Sequence, residues 1–108
     1  MRSCTPEELA AALRAGEAVF DTRPPGPRAR ARWPGMRPLP LAAVQHGELP
    51  DVPKDRPVFL VCERGLFSEL VGLYLESEGF LDVRHLPGGL RSVLAAPGRA
   101  GEPAADPG

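Results

Sequence analysis

Cysteine is scarce in this chain. The two present, Cys4 and Cys62, are far apart and form no CxxC step. Two cysteines do not make a disulfide framework. The two histidines, His46 and His85, lie apart from each other and from both cysteines. A structural zinc site takes about four ligands, so no metal is expected. This sparing use of cysteine fits a reducing compartment, and the expectation is a cytoplasmic protein. Net charge is also small, at -1, so no bulk field draws the molecule to nucleic acid or to an anionic membrane. No apolar run approaches the roughly 18 residues of a transmembrane helix, and the N-terminal segment has no apolar core of a secretory signal. The expectation is an unprocessed chain with no membrane partner.

What is present is ordinary for one globular domain: 108 residues, 43% apolar and 25% charged. The 14 prolines and 12 glycines gather at 24–40, 50–57 and 97–108 and mark loops and a tail. Thr5-Pro6-Glu7-Glu8 reads as a helix start, with Thr5 as N-cap and Glu8 closing a capping box. Leu9, Ala12 and Leu13 give it an apolar stripe, and Gly16 a stop. Ala18-Val19-Phe20, ending at Asp21, reads as a short buried strand. Residues 22–40 show no period and read as a long loop. Residues 41–45 can form a short helix, stopped by Gly47.

Val58-Phe59-Leu60-Val61 is apolar throughout, as a central strand covered on both faces should be. A six-residue loop, 62–67, follows and contains Gly65. Ser68 then opens a helix with Leu70, Val71, Tyr74 and Leu75 on one side, ended by Gly79. Residues 83–86 read as a third strand, and Gly88-Gly89 as a turn into a helix over 90–95. Strands alternating with helices predict an α/β domain with a mostly parallel sheet between helices. Residues 1–96 form that domain, and 97–108, without a large apolar residue, read as a flexible tail.

The chemistry concentrates where the strand at 58–61 meets the helix. Open parallel sheets place ligands at the carboxyl ends of their strands. A cysteine there faces unpaired helix N–H groups and the positive end of the helix dipole. Both favour thiolate, the nucleophilic form. The same N–H groups can cradle an anion beside the sulfur. Gly65 lets the loop curl. Ser68 is expected to cap the helix and donate a hydrogen bond towards the sulfur. The plainer reading, a cysteine that only packs at a strand end, stands beside this one.

These residues resemble the rhodanese-like domain family over about residues 5–94. The likeness rests on Asp21-Thr22-Arg23 after the first strand, Trp33-Pro34-Gly35-Met36 and Pro40 in the loop, and Cys62 after the apolar strand. It continues with Gly65 fourth in the cysteine loop, Ser68 just after it, and Leu86-Pro87-Gly88-Gly89-Leu90. The resemblance implies the three-layer rhodanese fold and a Cys62 persulfide. That persulfide would be loaded from thiosulfate or another persulfide and unloaded to cyanide, a thiol or a protein acceptor, with no cofactor. It assigns substrate binding to Glu63, Arg64, Gly65, Leu66, Phe67 and Ser68, with backbone amides of 63–68 steadying the outer sulfur. It makes Asp21 and Arg23 a structural pair near the site.

The chain departs from the family pattern at several places. Glu63 and Phe67 stand where many members carry cations, which leaves Arg64 as the loop's one positive charge. Glu63 would repel a dianion such as thiosulfate and favour a less charged persulfide donor. Trp33 replaces a usual histidine, and Val93 a frequent tryptophan. Two other functions compete with sulfur transfer. A cysteine phosphatase or arsenate reductase loop needs Cys-x5-Arg, but Ser68 occupies the arginine position. A non-catalytic sulfur-carrier or protein-binding module would use the same fold. Arg23, Arg28, Arg30, Arg32 and Arg37 form an arginine-rich stretch with no acid, read here as a solvated loop rather than a nucleic-acid surface. Cys4 is read as incidental, His46 as exposed, and His85 as a packing or hydrogen-bonding residue.

Overall fold

The computed structural model describes residues 1–24 and 35–94. The sequence expectations for the loop segment 25–34 and for the tail at 97–108 therefore lie outside the described residues. Among the described residues five strands form one sheet: β1 (Arg2–Ser3), β2 (Ala18–Asp21), β3 (Arg37–Pro38), β4 (Val58–Val61) and β5 (Val83–His85). Their order is β1-β5-β4-β2-β3, and every pairing is parallel. The helices are α1 (Pro6–Arg14), α2 (Leu41–Gln45), α3 (Leu66–Ser77) and α4 (Gly89–Leu94).

β4 lies at the centre, flanked by β5 and β2, and all four of its residues are buried. Its side chains alternate between two cores. Phe59 and Val61 join Leu9 and Ala12 of α1 and Leu90 of α4 on one face. Val58 and Leu60 join Val44 of α2 and Val71 and Leu75 of α3 on the other. A strand buried on both faces must be apolar at every position, and β4 is. The result is a three-layer α/β domain.

The start of α1 is as the sequence requires. Glu8 N–H donates to Thr5 Oγ1 at 3.1 Å, and Thr5 N–H donates to Glu8 Oε1 at 2.8 Å. Four sequence expectations need correction. β1 and β3 are additional strands, each only two residues long, so they carry no readable alternation. β5 ends at His85, although Leu86 N–H still donates to Leu60 O at 3.3 Å. α4 begins at Gly89. On α3, Val71, Gly72 and Leu75 face inward while Leu70 and Tyr74 are exposed. The helix is apolar on most of its circumference, so its period does not single out the buried side. Among the described residues no helix is long and apolar enough to cross a membrane.

Candidate active site

The site is assembled where β2 and β4 end side by side. Val61 O accepts two hydrogen bonds from Thr22, from its N–H at 2.8 Å and from its Oγ1 at 2.9 Å. This pins the last peptide of β4 just before Cys62. The two residues flanking Thr22 form a buried ion pair. Arg23 Nε and Nη2 donate to the Asp21 carboxylate at 3.0 and 2.9 Å, and Arg23 N–H donates to Asp21 Oδ1 at 3.0 Å. Asp21 is 1% exposed and Arg23 7%. A fork-on-carboxylate pair this enclosed holds the strand end in shape.

From Cys62 the chain turns sharply into α3. Gly65 is the residue before the helix and has φ +94°, a left-handed conformation that costs glycine little. Its N–H points back and donates to Cys62 Sγ at 2.8 Å. The loop is therefore 62–65, and α3 begins at Leu66 rather than at Ser68. Ser68 is fully buried one turn further on. Its Oγ donates to Gly65 O at 3.1 Å, so it is not the N-cap. Its contact with the sulfur, at 3.7 Å, has the thiol as donor and Oγ as acceptor, the reverse of the expected direction. The hydroxyl proton is already committed to the Gly65 carbonyl.

The far side of the loop is held by α4. Leu90 N–H donates to Cys62 O at 2.8 Å, and Arg91 N–H to Glu63 O at 3.0 Å. In a trans peptide the N–H points opposite to the C=O. Turning these two carbonyls towards α4 therefore turns the Glu63 and Arg64 amides away from it. Gly89, with φ +64°, permits this approach, because a Cβ there would run into Cys62 O and the Glu63 backbone. The resemblance quoted Gly89 but gave it no role. Thr22 was likewise quoted without a role, and the amides of Leu90 and Arg91 were not singled out from sequence, since backbone donors have no sequence signature.

Cys62 is 1% exposed, yet it lines a cavity of about 360 Å³ together with Glu63, Arg64, Leu66 and Phe67. The residue is sheltered, with the cavity against it. Leu66 and Phe67 ride on the first turn of α3 and are 68% and 40% exposed. All six loop and helix residues assigned to substrate binding are thus gathered here: five at the cavity or on the sulfur, and Ser68 behind it.

The other candidates lie elsewhere. Cys4 is buried with Leu9 and Leu86, and desolvation, then the Glu8 carboxylate, pushes its thiol up to about 11. His46 is exposed. His85 Nδ1 is buried without a hydrogen-bond partner among the described residues; of the two readings, packing or hydrogen bonding, this leaves packing at that atom. Of the arginine-rich stretch, Arg23 is paired with Asp21 and Arg37 stacks 4.8 Å over the Phe20 ring. Arg28, Arg30 and Arg32 lie outside the described residues. No group of three or more potential metal ligands occurs among the described residues.

The rhodanese-like domain family matches residues 5–96. The chain belongs to this family. It is 31% identical over 78 residues to a thiosulfate sulfurtransferase GlpE of Pseudoalteromonas translucida, covering 72% of this chain and 73% of that protein. It is 29% identical over 89 residues to a tRNA sulfurtransferase of Shewanella piezotolerans, covering 74% of this chain but 17% of that much longer protein. The solved rhodanese homolog of Thermus thermophilus is 41% identical with a TM-score of 0.63, covering 84% of this rhodanese-like chain and 99% of that one. Sulfur transfer is the activity that the names of the Pseudoalteromonas and Shewanella relatives share.

Proposed function

We propose that Cys62 is the nucleophile of a sulfurtransferase that works through a persulfide. The observation that carries this reading is the Gly65 N–H, 2.8 Å from Cys62 Sγ, in a loop that lines a cavity of about 360 Å³. A fixed amide aimed at sulfur stabilises negative charge there without reorganisation. The donor is an organic hydropersulfide in preference to thiosulfate, because Glu63 shares the cavity with Cys62 and repels a dianion.

In the first step the Cys62 thiolate attacks the outer sulfur of R–S–SH. A new S–S bond forms on Cys62, the old one breaks, and its electron pair leaves on R–S⁻. The proton stays on the transferred sulfur. In the second step a thiolate or cyanide attacks that outer sulfur and the pair returns to Cys62, releasing a new persulfide or thiocyanate. In this reading the Glu63 and Arg64 amides, turned away from α4, steady the transferred sulfur. Asp21, Arg23 and Thr22 act only by holding the end of β2 against β4.

Intact mass after exposure to a hydropersulfide tests the reading. A gain of about 32 Da that cyanide removes, and that Cys62→Ser does not show, is the expected result. A chain that no sulfur donor modifies would be a binding module and not an enzyme. Faster loading by thiosulfate than by hydropersulfide would overturn the donor assignment alone.

A further inference from the structure

A second cavity, of about 210 Å³, adjoins the one around Cys62, and Phe67 lines both. Pro24, Pro40, Leu41 and Ala42 form the rest of its apolar wall. Thr22 also lines it, but the Thr22 hydroxyl donates its proton to Val61 O. Gln45 supplies the remaining polar side chain. None of these residues is charged. Its described lining is therefore suited to carbon and, among the described residues, offers no cation to an inorganic oxyanion. Its size is adequate, since an apolar cavity of about 150 Å³ accepts benzene.

We infer that this groove is a subsite for the organic substituent of the sulfur donor, so that the chain selects alkyl or aryl hydropersulfides. The inference rests on sulfur transfer at Cys62 and names the substrate class. With R in the groove, R–S–SH passes along the Phe67 ring and presents its outer sulfur to Cys62. Bond changes are those of the first step above: Cys62–S forms, R–S–S breaks, and R–S⁻ leaves with the electron pair while R stays in the groove. Transfer to an organic thiol is the same step run backwards, so the same groove receives the acceptor's carbon chain. Phe67 stands where the family pattern often carries a cation. That exchange removes an anchor for oxyanions and adds an apolar wall shared by both cavities.

The test compares benzyl hydropersulfide with methyl hydropersulfide. Each compound's rate of Cys62 loading is followed by intact mass and divided by its rate with free N-acetylcysteine, which removes intrinsic reactivity. A preference for benzyl of at least about tenfold is expected, in line with the discrimination that apolar pockets give. Ala42→Glu, on the exposed side of α2, should bring the ratio close to one, and Phe67→Ala should lower it too. Equal normalised rates in the unaltered chain, or a ratio that neither substitution changes, would overturn the subsite while leaving Cys62 as the nucleophile. No adduct from either compound would overturn sulfur transfer itself and this inference with it.

Discussion

Cys4 and Cys62 are both buried thiols, but their surroundings differ. The Cys4 amide donates to His85 O at 2.8 Å, extending the β1–β5 ladder, and its side chain packs among Leu9 and Leu86. Burial and Glu8 hold it protonated up to about 11, against an ordinary 9.0. The folded state thus keeps a proton that the unfolded chain loses. The stability this represents is complete below pH 9 and is lost as pH rises through about 11. Urea unfolding should show the native chain losing about 2 to 3 kcal/mol more than Cys4→Ala over that interval. Parallel alkaline limbs would place the thiol in contact with water. Cys62 instead has an amide on its sulfur and a cavity beside it. Its location after an apolar strand was legible from the residues. The direction of the Ser68 hydrogen bond was not, because a hydroxyl donates to the best acceptor in reach, and that acceptor is a backbone carbonyl.

At the scale of elements, the loop between β4 and α3 is shaped as much by α4 as by its own residues. The first amides of α4 hold the carbonyls of Cys62 and Glu63, and Gly89 makes room for them. Gly89→Ala should therefore displace the nucleophile's loop. A shift of about 1 Å can cost on the order of a hundredfold in rate, so Cys62 loading should slow by at least about tenfold. The comparison is made on chain shown by circular dichroism to be folded. Normal loading in a folded Gly89→Ala chain would mean that α4 only packs. The Gly88-Gly89 turn itself was visible in sequence, whereas its hold on Cys62 and Glu63, far earlier in the chain, required the fold. α3 shows the opposite difficulty. Leu66, Phe67, Leu70, Leu73 and Tyr74 are all exposed, so apolar character alone did not separate the buried Val71 and Leu75 from the exposed Leu70 and Tyr74. The buried side also holds the small residues Ser68 and Gly72, and a Cβ at Gly72 would run into the Met1 side chain.

For the whole molecule, the sheet divides the apolar interior into two separate clusters, one under α1 and α4 and one under α2 and α3. Val19 belongs to the first and Val71 to the second. Val19→Ala and Val71→Ala should each cost about 2 kcal/mol, and the double variant should equal their sum within about 0.5 kcal/mol. Strong coupling in urea melts would show that strain crosses the sheet. This layered plan was readable because β2, β4 and α1 each carry a pattern several residues long. β1 and β3 were not, for two residues hold no period and their placement depends wholly on partners distant in sequence. The brevity of those two strands bears on how copies of the chain meet at high concentration. Each lateral margin of the ladder offers only two rungs: one bears the charged Arg2, and the other ends at Pro38, which has no N–H to give. A second molecule finds too little there to extend the hydrogen-bonded ribbon, and fibril growth by strand addition is closed off at both margins.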